Sequence, residues 1–222
     1  MKKHITLFTI ALGVATLFSA CNNGKEAKTG EAEAEAVVDN AAVMYSVDSS
    51  KSKISWSGSK PGGTHTGTIA IADGSVSVTD RTMGAGKFTI DMKSITVTDL
   101  EAGNGKENLE SHLMGTVEGK EGDFFNVNEF PTASFVITSI EGDQYNPTVK
   151  GNLTIKGKTN NIEFPATVSY PGETMFLKSK KFTLDRTLWD VNYGSKSIFD
   201  NLGDKFISDD MELQIEVYAE KS

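Results

Sequence analysis

Reactive side chains are scarce in this sequence, and their spacing argues against most catalytic and metal chemistry. Past residue 20 only His65 and His112 carry imidazoles, and Cys21 is the single thiol of the chain. A zinc or iron site built on imidazole and thiolate needs more ligands than these supply. No GxSxG nucleophile turn occurs, and GAGKF (84–88) lacks the Ser or Thr and the leading glycine spacing of a phosphate loop. The acids of FDNLGDKFISDD (199–210) miss the spacing and the central glycine of a calcium loop, so they read as a solvated turn. NLT (152–154) matches a glycosylation triplet but falls within a strand-like run. His65, in GGTHTG, and His112, in KENLESHLMG, read as hydrogen-bonded structural imidazoles. Nothing in these patterns points to an enzyme.

Arg186 draws notice because Arg81 is the only other arginine. Continuing the alternation of Phe182 and Leu184 places it on a core face, where a guanidinium needs either a carboxylate or the polar end of a ligand. Both readings stand: an ion pair closing the fold, or a ligand contact. The segment GDFFNVNEFPTASF (122–135) concentrates Phe124, Phe125, Phe130 and Phe135, four of twelve phenylalanines. Their spacing fits neither the helix period of about 3.6 nor the strand period of 2. Trp56, Trp189 and Tyr193 fit either cavity lining or core.

The elements that position these residues are written in alternation. Met211, Leu213, Ile215 and Val217 alternate with Glu212, Gln214, Glu216 and Tyr218. Phe88, Ile90 and Met92 repeat the pattern, as do Val149, Leu153 and Ile155, then Ile162, Phe164, Ala166 and Val168. One apolar and one polar face per segment predicts antiparallel sheet. Turns are expected at DGS (73–75), GDQYNP (142–147), KGKTNN (156–161) and YPGET (170–174). About eight strands in this length favour closure into a barrel, with a sandwich as the competing solution. KENLESHLMG (106–115) is the exception: Leu109, Leu113 and Met114 share one side of a short helix stopped by Gly115. A helix feeding an aromatic loop suggests a lid over an open barrel end.

The N-terminus reads as an address. Lys2 and Lys3 precede a 14-residue apolar run, Ile5 to Phe18, followed by small residues, which describes an export signal too short to anchor a membrane stably. LFSAC resembles a bacterial lipoprotein signal, departing from it in Phe18; residues 1–20 would be removed and Cys21 acylated, for example with palmitate. A chain beginning at Cys21 carries 20 basic and 30 acidic groups, a formal charge of −10 that repels nucleic acid. Membrane attachment would then rest on the acyl chains. Residues 21–43, rich in Ala and Glu without an apolar face, are expected to form a solvated tether, and a single domain to fill 44–222.

Taken in order, KISWSG…GGTHTGTIAI, GAGKFTIDMKSI, HLMG…DFFNVNEFPTASF, GNLTIKGKTNNIEFP and FTLDRTLWDVNYGS resemble the YceI-like lipid- and polyisoprenoid-binding proteins over about residues 45–220. GTVEGKEG (115–122) departs from the family as an insertion. The resemblance implies an all-β fold: an extended eight-stranded antiparallel lipocalin-like barrel with one short helix near an open end. It further implies a non-enzymatic carrier of a quinone-like polyisoprenoid or other long-chain lipid, exported to the periplasm; with the lipoprotein-like signal this places the protein in the bacterial cell envelope, on a membrane facing the periplasm or the cell surface. The rival expectations are an envelope enzyme acting on such a lipid and a surface interaction protein whose barrel is filled by its own side chains. No cofactor other than that hydrophobic ligand is expected, and a homodimer is compatible with the reading. The residues expected to meet the ligand are Trp56, Phe88, Ile90, Leu113, Phe124, Phe125, Phe130, Phe135, Phe182, Arg186 and Trp189.

Overall fold

Strand alternation closes this chain on itself. The computed structural model describes residues 26–222; the export signal and Cys21 lie outside the described residues. Eleven strands follow in chain order: β1 (Lys28–Gly30), β2 (Val43–Val47), β3 (Lys53–Lys60), β4 (Gly63–Thr79), β5 (Thr82–Val97), β6 (Thr132–Gly142), β7 (Pro147–Ile155), β8 (Lys158–Ser169), β9 (Thr174–Ser179), β10 (Phe182–Asp185) and β11 (Asp210–Lys221). Helix α1 (Lys106–Met114) lies between β5 and β6 and ends at Gly115, as its sequence predicts. A ring of 8 strands runs β3–β4–β5–β6–β7–β8–β9–β11 and returns to β3. Pairing is antiparallel throughout the ring, so the fold is all-β. The inward phase of each strand forms one apolar core, including Ile71, Phe88, Ile137, Phe164 and Leu177.

Three of the four expected turns are reversals. DGS (73–75) is not: it lies inside β4, at a register shift between Ile71 and Asp73. The true reversal comes at Asp80 and Arg81, both with positive φ (49° and 61°), the backbone of a tight hairpin. Gly74 serves close approach instead. A Cβ there would stand 2.7 Å from a carbon of the Phe88 ring, so glycine lets that ring cross beneath the strand.

The larger correction concerns residues 26–42, expected as a solvated tether. They form a belt along the barrel, with β1 set into the wall between β8 and β10. β1 pairs with β8 through Lys28↔Glu163, Thr29↔Ile162 and Gly30↔Asn161, and the Ala27 N–H donates to the Thr183 carbonyl at 2.9 Å. Glu33 and Asn152 exchange two hydrogen bonds, of 3.0 and 2.7 Å, and the Ala36 N–H donates to the Ile137 carbonyl at 2.9 Å. Ala and Glu offer no apolar helix face, but an extended belt needs none. Its ordering is offset by main-chain hydrogen bonds to β10, β8 and β6, and by burial of Ala27. Among the described residues, the folded body begins at Glu26.

Candidate functional site

Four phenylalanines ladder across the interior: Phe88 on β5, Phe135 on β6, Phe164 on β8 and Phe182 on β10. Neighbouring ring centroids stand 6.4, 5.7 and 4.9 Å apart, and the last pair is stacked with 5° between planes. The Phe135 ring lies over Gly151, where a Cβ would come within 2.3 Å of it. Beside the ladder is an apolar cavity of about 40 Å³ lined by Ile54, Ile71, Met83, Phe88, Ile90, Phe135, Ile137, Val149, Phe164, Leu177, Ile215 and Val217. Each of the eight ring strands contributes to it, and no polar or charged side chain lines it. Of the residues chosen from sequence, Phe88, Ile90 and Phe135 line this cavity, and Phe182 packs in the same core. The other nine lining residues went unchosen; Val149, Phe164, Ile215 and Val217 already stood in the alternating sets, where inward phase was the signal that locates them.

One barrel end is covered by α1 and the loop that follows it. Leu113, Met114 and Phe125 pack on the core, and Val127 is buried in it. Two hydrogen bonds sew loop to helix, Phe125 N–H to the Leu113 carbonyl (3.1 Å) and Val127 N–H to the Met114 carbonyl (2.8 Å). Phe124 turns away from the cavity lining into a trio with His112 and Tyr193, at centroid distances of 5.0 and 5.3 Å. His112 Nε2 is hydrogen-bonded to Asp123 at 2.6 Å, which clips the inserted loop to the helix. Phe130 lies outside this cluster, against the β7–β8 turn at Gly157. The phenylalanines of 122–135 therefore divide: Phe135 inside, Phe125 capping the core, and Phe124 and Phe130 bracing the end. His65 is likewise tied down, to Asp99 at 2.8 Å. Burial alone would raise Asp99, but the Thr66 N–H and His65 outweigh it and hold that carboxyl below its ordinary value.

Arg186 is 4% exposed and stands in a short 3-10 helix, Arg186–Trp189, just past β10. Its guanidinium donates to main-chain carbonyls of Ser208 (3.0 Å), Tyr193 (2.9 Å), Ile207 (3.3 Å) and Val191, and stands 3.7 Å from Asp209. It ties down the loop between residues 190 and 209 and does not line the cavity. Trp189 is fully buried, with its Nε1–H donated to the Leu153 carbonyl at 3.0 Å. Trp56 Nε1 and Tyr170 Oη are buried without a hydrogen-bond partner. Burial pushes the Tyr170 phenol up to about 12. No group of three or more His, Cys, Asp or Glu suited to a metal occurs among the described residues.

A closed ring of eight antiparallel strands around an apolar cavity is the frame of barrels that either hold one small ligand or are filled by their own side chains. The YceI-like domain family matches residues 45–219. The chain belongs to the YceI-like domain family. Its fold is shared with BcnA of Burkholderia cenocepacia, at 23% identity over 78% of this chain and 98% of that one, with a TM-score of 0.58. A polyisoprenoid binding domain from Saccharophagus degradans gives the same TM-score at 13% identity, over 81% of this chain and 99% of that one. No curated protein matches the chain. The YceI-like match begins at Tyr45, so the belt of residues 26–42 stands outside it.

Proposed function

We propose that this YceI-like protein binds a polyisoprenoid or comparable long-chain lipid inside its barrel, without chemical turnover, while held in the cell envelope by an acylated Cys21. One observation carries the reading: the eight ring strands direct only apolar side chains at the central cavity. Kinship with a fold whose Saccharophagus degradans member is a polyisoprenoid binding domain supports it. Burial of an alkyl chain yields about 0.8 kcal/mol per methylene, so about ten methylenes give about 8 kcal/mol before ordering costs.

The cavity, at about 40 Å³, is far smaller than the roughly 300–1,000 Å³ of ordinary ligand pockets. A long chain therefore enters only if the aromatic ladder beside the cavity parts. On this reading Phe88, Phe135 and Phe164 move apart when a chain enters, and Met83 adapts around it. The small volume also favours a second reading, a barrel filled by its own side chains that works through its surface. Titration with a polyprenol in phosphatidylcholine vesicles, read by tryptophan fluorescence, separates the two. The lipid reading expects saturable uptake that Val149→Phe weakens by filling the cavity; the second reading expects no uptake by the parent protein.

A further inference from the structure

The barrel wall has a removable stave. β9 and β10 both pair with β11, but only β9 pairs with β8, through Ala166↔Ser179 to Ser169↔Phe176. Lys180 still donates its N–H to the Pro165 carbonyl of β8 at 2.9 Å; past it the chain leaves β8, and β10 pairs with β11. A slot is left between β8 at Asn161–Glu163 and β10 at Thr183, and β1 fills it. On one side stand its three register pairs with β8, with a Lys28–Glu163 ion pair at 2.5 Å. On the other, Glu26 bridges Thr183 and the Ala27 N–H donates to the Thr183 carbonyl. Ala27 is 7% exposed and belongs to the core. Ile162 and Phe164 on one edge and Phe182 and Leu184 on the other are core residues, and the stacked Phe164–Phe182 pair spans the two edges.

We infer that β1 is a lateral gate: its withdrawal from between β8 and β10 opens the wall to a long apolar chain. The inference rests on the lipid-binding reading above. The cavity is narrow and α1 with its loop sews one barrel end shut, so a route through the wall spares a ligand that end. β1 is the cheapest segment to move. It is three residues long, its neighbours in the wall do not depend on it for their pairing with β7 and β11, and short, sparsely paired strands open first. Its position suits a membrane-borne ligand. Five residue steps separate Glu26 from Cys21, so an acylated Cys21 holds the bilayer within about 18 Å of the slot at full extension. A lipid passing through the slot leaves the bilayer sideways, without crossing the capped end.

The test locks the gate. In a Cys21→Ser chain, which lacks native thiols, Lys28→Cys and Glu163→Cys introduce a pair at facing positions of β1 and β8. Their Cα atoms stand about 4.5–5.5 Å apart, as in any antiparallel pair, within the span of a disulfide. Uptake and release of a pyrene-labelled polyprenol from phosphatidylcholine vesicles is timed in the oxidised and reduced forms of the same protein. Oxidation is expected to slow both by about tenfold or more, the factor produced by about 1.4 kcal/mol of added opening cost, with recovery on reduction. A second variant, Ala27→Pro, deletes the N–H that bonds Thr183 and is expected to speed exchange. Equal rates in oxidised and reduced protein, with uptake intact, overturn the gate and leave lipid binding standing. No uptake by the Cys21→Ser parent overturns both.

Discussion

Arg186→Ala is expected to loosen the loop of residues 190–209 and lower stability by about 3–5 kcal/mol. The magnitude follows from what the guanidinium serves. It donates to the carbonyls of Ser208, Val191, Tyr193 and Ile207, and Asp209 stands 3.7 Å away. Tyr193 is 40% exposed, so water replaces the arginine at that carbonyl. The other three belong to buried or half-buried residues and lose about 1–1.5 kcal/mol each when left unpaired. Asp209 keeps a hydrogen bond from Ser197 at 2.7 Å and loses only part of its stabilisation. The sum agrees with the usual cost of removing one member of a buried charged pair. For a domain of this size each kcal/mol shifts the melting temperature by about 2–4 °C, hence a fall of about 6–20 °C. Urea unfolding of parent, Arg186→Ala and Arg186→Lys is the assay; lysine reaches fewer carbonyls and should fall between the other two. Because Arg186 lies off the cavity, protein that remains folded should retain lipid fully. A change within about 0.5 kcal/mol refutes the structural account, and loss of lipid from folded Arg186→Ala returns this residue to the ligand.

Gly151→Ala should cost about 3 kcal/mol or more and weaken lipid uptake, because the new methyl meets the cavity-lining Phe135 ring at 2.3 Å and the Val136 carbonyl oxygen at 2.7 Å; the unfolding midpoint and a polyprenol titration check both. Stability should decline between pH 10 and about 12, because the Tyr170 phenol ionises near 10 when unfolded and near 12 when folded. Tyr170→Phe should flatten that stretch of the pH–stability curve without loss at neutral pH, since the hydroxyl it deletes has no partner. Cys21→Ser should move the protein from the membrane fraction to the soluble or unprocessed pool with the barrel's melting temperature unchanged; an unchanged membrane fraction and mass would refute acylation.

Strand and helix periodicity carried most of the architecture. Met211, Leu213, Ile215 and Val217 announced β11, and Leu113, Met114 and Gly115 announced the end of α1, because each pattern is local and repeats. The belt was illegible for the opposite reason. Its partners, Thr183, Glu163, Asn152 and Ile137, are distant in sequence, and an Ala-Glu run carries no mark of a strand edge waiting elsewhere. DGS was misread because glycine signals both turns and close approach, and only the Phe88 ring beneath Gly74 distinguishes them. Within 122–135 composition marked a cap but not which ring enters. Phe135 is inside because it continues β6, whereas Phe124 sits on the loop beside His112. The inward placement of Arg186 was readable from Phe182 and Leu184. Its carbonyl partners were not, since they lie on a loop without periodicity.

The central claim is that a lipid occupies this barrel. Its most direct test is mass spectrometry of a solvent extract from the purified Cys21→Ser protein, which carries no acyl chain of its own, paired with native mass spectrometry of the intact protein. The account predicts one long-chain lipid of polyisoprenoid class per folded barrel, lost when Val149→Phe fills the cavity. Protein that is folded, carries no lipid and acquires none after incubation with polyprenol-loaded vesicles would contradict it.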